Sequence, residues 1–400
     1  MRVLIRVAVV VALAASIVAG QRVEASPTLG ELLGFVVRTV DLDASDGIGA
    51  RLADGRLLPG WQTTLEGEAD AVVLSWAGSP DGEVMLRRHG PQGPGPWVEV
   101  AAAPLEAPDA GTEGSPMARA VAGPVWTGTG TGAVDLRVVG GELENLEAEL
   151  LTALPDLAEV GEVVEAVVAD PVGAVGELVG GLIAPPVSPG ASVAHAPAIL
   201  PSSAWGSPGF DAGVAGCEAG PRVAPLQLAV VHHTVLANDY GPDDVPAMIR
   251  SMYYAHLARG FCDIGYNVIV DSFGRTWQAR SGPVGPAVIG GHASGFNAGS
   301  VGIALLGQFQ PGATPPAAVP SPASLAAVAD YAAWQFGQHG VDPASTATVV
   351  AGSGSPRYPE GTAVALPRLI GHRDVGATAC PGDYVYERLD EIRAAVASRT

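Results

Sequence analysis

The sequence predicts an α/β domain with a central mixed sheet and flanking helices over residues 202–400, preceded by a smaller all-β, sandwich-like module over 27–145. Three observations carry this expectation. The first part is written in short runs with partial alternation, separated by Gly and Pro clusters, as strands joined by turns should be. The second part alternates continuous apolar runs with capped amphipathic stretches, as buried strands and the helices covering them should be. Between the two, APPVSPGASVAHAPAILP at 184–201 has the composition of an extended linker. The chain's 400 residues exceed what one core ordinarily needs, which also favours two domains.

At the start, Arg2 and Arg6 precede the apolar run VAVVVALAASIVA at 7–19, and small residues follow in VEAS. This reads as a secretory signal over 1–25, because the run falls short of the about 20 apolar residues that span a bilayer. No later stretch is long and apolar enough to span, so a secreted protein without a transmembrane anchor is expected. The β module then runs through AVVLSWAGS, GEVMLRRHG, PWVEVAAA and AVDLRVVGG, with SPDG and GPQGPGP as breaks. Trp61, Trp76, Trp97 and Trp126 invite a sugar-stacking role, but single Trp residues at strand positions read better as core. From 146 to 201 an acidic segment and then the Pro and Ala tract are read as linker. Leu143, Leu146 and Leu150 stand at helical spacing and predict a short helix there, interrupted at Pro155 and Pro171. His195 reads as a solvated linker residue.

In the second module, LQLAVVHHT at 226–234 is apolar on both faces, like an interior strand of a covered sheet. The stretch PDDVPAMIRSMYYAHLARG predicts a helix capped by Asp243 or Asp244, with Pro246 in its first turn and Gly260 past its end. Ile249, Met252, Tyr253, His256 and Leu257 share one face of it, which makes His256 a packing residue. YNVIVDSFGRTWQAR at 266–280 reads as a hairpin turning at Asp271 to Gly274. VGIALLGQF is another buried strand, and Ser321, Pro322 and Gly340 bracket a second helix. LPRLIGHRD brings a short strand to His372, and YVYERLDEIRAAVA closes the chain as a helix.

The charge excludes one class of partner. Against 41 acidic residues there are 21 basic ones, every one an Arg, for a formal charge of −20. Phosphate neutralisation needs clustered positive charge, so no nucleic-acid partner is expected, and the acidity serves solubility. The chemistry concentrates in GHRDVGATACPGD at 371–383 and LAVVHHT at 228–234. His372, Cys380 and one of His232 and His233 make a zinc-type donor set of two imidazoles and a thiolate, with a fourth position open. Neighbouring side chains on a strand point to opposite faces, so only one of the His232 and His233 pair faces such a metal. Three cysteines in an exported chain leave room for one disulfide and one thiol. Sparing Cys380 for metal leaves Cys217 with Cys262, and any pairing that used Cys380 would destroy the site. A bridge closing this loop is worth on the order of 4 kcal/mol.

The segments AVVHHT, DIGYNVIVDSFGRTWQAR, GGHASGFNAGSVGIALLG and GHRDVGATACPG, in this order, resemble the type 2 N-acetylmuramoyl-L-alanine amidase and peptidoglycan recognition protein family over residues 204–397. The resemblance implies that His232, His372 and Cys380 hold Zn2+, with His233 in a structural role. It implies that Tyr266 sits over the site and that Thr378 shares its catalytic work, where some relatives place a lysine that this Lys-free chain lacks. His292 and Asn297 match positions lining the muropeptide groove, and Arg280 is a further candidate for a peptide carboxylate. Gly285 and Pro286 stand where many diaminopimelate-preferring members carry Gly-Trp, which leaves the third stem residue open. The implied activity is hydrolysis of the bond between N-acetylmuramic acid and L-alanine in peptidoglycan by a secreted protein; the sequence does not fix the oligomeric state, and a monomer is expected. The alternative is muropeptide binding without cleavage, but relatives of that kind typically lose the Cys ligand, and Cys380 is present.

Overall fold

The computed structural model describes residues 35–42, 56–67, 69–78, 82–90, 93–101, 120–128, 132–153, 196–214, 217 and 220–400. The expected signal at 1–25 and linker residues 154–195, His195 included, lie outside the described residues.

Residues 35–153 form two antiparallel sheets. One has the order β1-β9-β3-β7, from β1 (Phe35–Asp41), β3 (Ala71–Gly78), β7 (Ala120–Trp126) and β9 (Leu143–Ala153). The other joins β2 (Gln62–Glu66), β8 (Ala133–Gly140) and β4 (Glu83–Gly90), with β5 (Gly93–Pro94) and β6 (Val98–Ala101) both pairing β4. Alternation supplies their common core: Leu65, Val84, Leu86, Val134, Leu136 and Val138 face inward with Trp61 and Trp76.

The helix expected around Leu143, Leu146 and Leu150 is instead strand β9. The reason is a bulge. Glu144 pairs with Ala77 and Glu147 with Ser75, so two β9 residues oppose Trp76 alone, and Asn145 takes a positive φ of 49°. That extra residue turns an i, i+2 spacing into i, i+3, and all three leucines enter the core from one strand. Strand β9 thus carries the β module to Ala153, past the expected boundary at 145.

The second module is built on a six-stranded mixed sheet of order β10-β13-β12-β14-β11-β17. Its strands are β10 (Ile199–Leu200), β11 (Leu228–His233), β12 (Val268–Val270), β13 (Thr276–Gln278), β14 (Ser300–Leu305) and β17 (Leu369–Gly371). Only β12 and β13 are antiparallel, being the predicted hairpin. Asp271 builds the turn: its carboxylate accepts from the backbone of Phe273 and Arg275 at 3.0 and 2.9 Å and from the Trp277 indole at 2.9 Å. Helix α1 (Val245–Ala258) covers one face of the sheet, with Met248, Ile249 and Met252 against Ile269, Ala304 and Leu306. Helix α2 (Pro322–Gln338) and α4 (Leu389–Ala397) cover the other, with the short α3 (Asp383–Tyr386) between β17 and α4. The Ser321 hydroxyl caps α2 from the Ser324 amide, as predicted. A separate hairpin, β15 (Thr346–Val350) with β16 (Ala363–Pro367), packs on Leu228, Val230 and Ile370.

Helix α1 is buried on a second side that the sequence stripe did not show. Ala247 and Ala255 meet Ala71, Val73 and Leu151 of the β module, and Arg259 donates to the Gly123 carbonyl at 3.0 Å.

Candidate metal centre

Parallel strands β11 and β17 are neighbours, Val231 pairing Gly371, and both stop at the same edge of the sheet. Groups outside the carboxyl ends of such strands are where open α/β sheets bind ligands. His232 stands at that end of β11, and His372 opens a single 3-10 turn (His372–Asp374) directly after β17. Cys380 returns in the following loop. One donor atom from each of His232, His372 and Cys380 lies within 4.8 Å of the others, and the three residues are buried, at 0, 6 and 4% exposure.

The loop is held by the two residues after His372. Arg373 reaches Asp383 at 2.7 Å and the carbonyl of Ala379, with its guanidinium 4.5 Å from the Tyr386 ring centre. The Asp374 carboxylate accepts from the Gly371 amide at 2.9 Å and the Tyr386 hydroxyl at 2.6 Å. The Arg373 amide donates to the Cys380 carbonyl at 2.9 Å, closing the loop on itself. Gly376 is needed here, because a Cβ at that position would lie 2.7 Å from His372 Nε2.

The imidazole of His232 has its orientation imposed from behind. Its Nε2 lies 3.0 Å from His292 Nδ1, and His292 Nε2 lies 3.5 Å from Ser300 Oγ. Ser300 donates its own proton to the Phe296 carbonyl at 2.7 Å, so it accepts from His292. His292 then accepts from His232 Nε2–H, which leaves His232 Nδ1 as a lone pair, 3.6 Å from Cys380 Sγ. A histidine fixed through its far nitrogen is the arrangement that metal-binding imidazoles use. The His233 ring lies on the other face of the strand, 6.4 Å from Phe309, and its Nδ1 accepts from the Phe309 amide at 3.4 Å. Its backbone N–H points at Cys380 Sγ at 3.4 Å.

Tyr266 is 5% exposed, and its ring centre lies 5.1 Å from that of His232. His256 supports it edge-on at 5.7 Å while stacking on Phe261 at 4.9 Å, the packing role expected for that histidine. The next residue, Asn267, staples the segment, accepting from the Gly302 amide at 2.8 Å and donating to the Val288 carbonyl at 2.7 Å. The half-buried Thr378 accepts from the Cys380 amide at 3.1 Å, which leaves its O–H to donate. Cys217 and Cys262 form a disulfide, with Cα atoms 5.6 Å apart, that ties the segment leading to Tyr266.

The three residues expected to meet substrate are all buried. His292, at 0% exposure, lies behind His232 rather than in a groove, because Gly302 leaves room for it: a Cβ there would be 2.6 Å from the imidazole. Asn297, also at 0%, folds its side-chain oxygen onto the amides of His292 and Ala293 at 2.7 and 2.8 Å and so shapes that loop. Arg280, the candidate for a peptide carboxylate, is likewise turned inward. At 3% exposure it donates to the Ile264 carbonyl at 2.8 Å. Sequence reasoning missed Ser300 and Gly302 as parts of the site. Their only signal is position, since both lie on β14 beside the strand that carries His232.

The donor set fits zinc: two imidazoles and one thiolate, close enough to share a single ion, buried, and with the bearing of one ring already fixed.

Residues 222–383 match the family model described as N-acetylmuramoyl-L-alanine amidase (Amidase_2). The chain is 30% identical over 170 residues to a peptidoglycan-recognition protein of Drosophila simulans, covering 42% of this chain and 76% of that protein. It is likewise 30% identical over 196 residues to an N-acetylmuramoyl-L-alanine amidase of Sus scrofa, covering 48% of this chain and 27% of that one. Among solved structures, wild-type Drosophila PGRP-LB aligns over 48% of this chain and 92% of its own, at 25% identity and a TM-score of 0.36.

Proposed function

This chain belongs to the N-acetylmuramoyl-L-alanine amidase (Amidase_2) and peptidoglycan recognition protein family, and from that premise we propose that its module over 202–400 is a zinc-dependent amidase cutting the bond between N-acetylmuramic acid and L-alanine of peptidoglycan. The observation that carries the reading is the convergence of His232, His372 and Cys380. A site made only to hold muropeptide has no need of a buried thiol facing two imidazoles.

When bound by these three residues, zinc supplies Lewis acidity at the amide carbonyl and makes hydroxide accessible at neutral pH. The chain's own groups do the rest. Tyr266 donates its phenolic hydrogen to the oxygen that gains negative charge as the carbonyl becomes tetrahedral. Thr378, whose oxygen is fixed by the Cys380 amide, presents its O–H to the same region and orients water. His292 and Ser300 keep His232 in the one tautomer that offers Nδ1. The oxygen of water bonds to the lactyl carbonyl carbon as the C–N bond breaks, the lactyl group stays on the sugar as a carboxylate, and the L-alanine nitrogen takes up a proton and departs as the amine.

Export belongs to this reading. The Cys217–Cys262 bridge suits an oxidising compartment, and no described helix is long and apolar enough to cross a membrane. The test is incubation of the purified chain, with and without chelator, on peptidoglycan of defined stem composition, with products identified by mass. Release of intact stem peptides starting at L-alanine, abolished by chelator and restored by zinc, is the expected result. Binding without release would return the site to muropeptide recognition.

A further inference from the structure

Of the β-module tryptophans, Trp61 and Trp76 are core and Trp126 packs toward α1, as a structural reading requires. Trp97 does not. It is half-buried, just before β6, and the guanidinium carbons of Arg87 and Arg137 lie 4.5 and 4.4 Å from its ring centre. These groups share the outward face of the second sheet. Register places Arg87 beside Asp135, Asp135 beside Thr64, and Arg137 beside Gln62, while their strand neighbours Leu65, Val84, Leu86, Val134 and Leu136 fill the core. Asp135 ties the row together, accepting from Arg87 at 2.6 Å and Thr64 at 2.7 Å and lying 3.0 Å from His89. Burial raises its carboxyl, but hydrogen bonds from His89, Thr64 and Arg87 outweigh that, and its pKa falls below the ordinary value. The face opens into a depression of about 620 Å³ that extends to Arg38 of β1.

The guanidiniums of Arg38 and Arg87 line the depression with the carboxylates of Glu66 and Asp135, and Arg137 beside Trp97 adds one cation in excess in a chain of formal charge −20, next to an indole, a hydroxyl and an amide. Planar forks select carboxylates, and the indole with Thr64 and Gln62 suits a ring bearing hydroxyl and acetamido groups. We propose that this face binds the acidic saccharide strand that amide hydrolysis leaves behind. The inference rests on the amidase reading for its ligand: each cut converts a lactyl amide into a lactyl carboxylate, so processed glycan carries a carboxylate directly on each muramyl ring, where uncut glycan carries an amide and a peptide. Holding that product keeps the second module near the remaining stems, a local-concentration effect.

The test uses the full chain and glycan strands already stripped of peptide, which contain no bond left to cut. Binding is compared with a neutral N-acetylglucosamine oligomer of equal length and with a phosphodiester-linked polymer. The stripped glycan should bind at least about tenfold more tightly than either, and more weakly as salt rises. Trp97→Ala and Arg137→Gln should each lower that binding about tenfold or more, with unchanged thermal melting and unchanged turnover of soluble muropeptide. Equal binding of the neutral oligomer, preference for the phosphodiester polymer, or no loss in both variants would overturn the proposal. A chain that binds stripped glycan but does not cut muropeptide loses only the amidase reading. One that cuts but does not bind loses only this one.

Discussion

The outward face of the β module and the His232, His372 and Cys380 cluster place reactive groups by opposite means. On the β module, side chains alternate along exposed strands, and what faces solvent is set by a two-residue period. In the α/β module the donors stand at the ends of two buried strands and in one loop, with His292 behind His232 and the Asp374 carboxylate closing the turn that carries His372. The first arrangement leans on one residue, Asp135, which joins Thr64 and Arg87, while the groups around it touch few others. In the second, each residue's position is the condition of another's chemistry, and substitutions should propagate.

That contrast is broken or sharpened by experiment, beginning with the largest expected effect. Cys380→Ala should abolish both zinc retention and stem release while leaving the fold intact by circular dichroism. Normal release by this variant would remove the metal assignment. Tyr266→Phe should keep its zinc and slow turnover by roughly a hundredfold, the scale of losing one donor to the developing charge. His292→Gln should weaken zinc affinity, read by competition with a chromogenic chelator, by about 10- to 100-fold, with a smaller change in melting temperature. Unaltered affinity would mean that His232 needs no orienting partner.

The smallest effect is one of pH. Asp263 is fully buried, its oxygens accepting from the amides of Ile264 and Ser281 at 2.7 Å each, and burial pushes its carboxyl up to about 7 from 3.8. A raised value means that the folded state holds the proton more tightly than the unfolded state. Its contribution to stability is therefore complete below about pH 4 and is lost as pH rises through about 7. Asp263→Asn should flatten the melting temperature across that window. An unchanged slope would show that the titrating group lies elsewhere.

Much of the α/β module was legible because local signals agree with one another. The apolar run into His232, the Ser321 cap with Pro322 and the Asp271 turn each specify one element without reference to distant residues. The metal donors were legible in part: residue type marks His372 and Cys380, the strand's two-residue period admits only one of His232 and His233, and the family resemblance points to His232, which is the one that meets them. The role of His292 was not. A histidine in a glycine-rich loop carries no sign of whether it meets substrate or the back of another imidazole, and the deciding fact is the missing Cβ of Gly302 across the sheet. Trp97 escaped for the converse reason: a tryptophan at a strand edge is ordinarily core, and only the register that brings Arg87 and Arg137 to it shows otherwise. Strand β9 was misread because a bulge at Asn145 imitates a helical repeat.

The second buried side of α1 bears on how this protein can be taken apart. Ala247 and Ala255, 5% and 0% exposed, pack with Ala71 and Val73 of β3 and Leu151 of β9, and Arg259 donates to a carbonyl of β7. A catalytic fragment excised at the linker would present an uncovered alanine stripe and an arginine stripped of its acceptor. The α/β half is thus no portable cassette, and transplanting it into another polypeptide would require resurfacing that helix first.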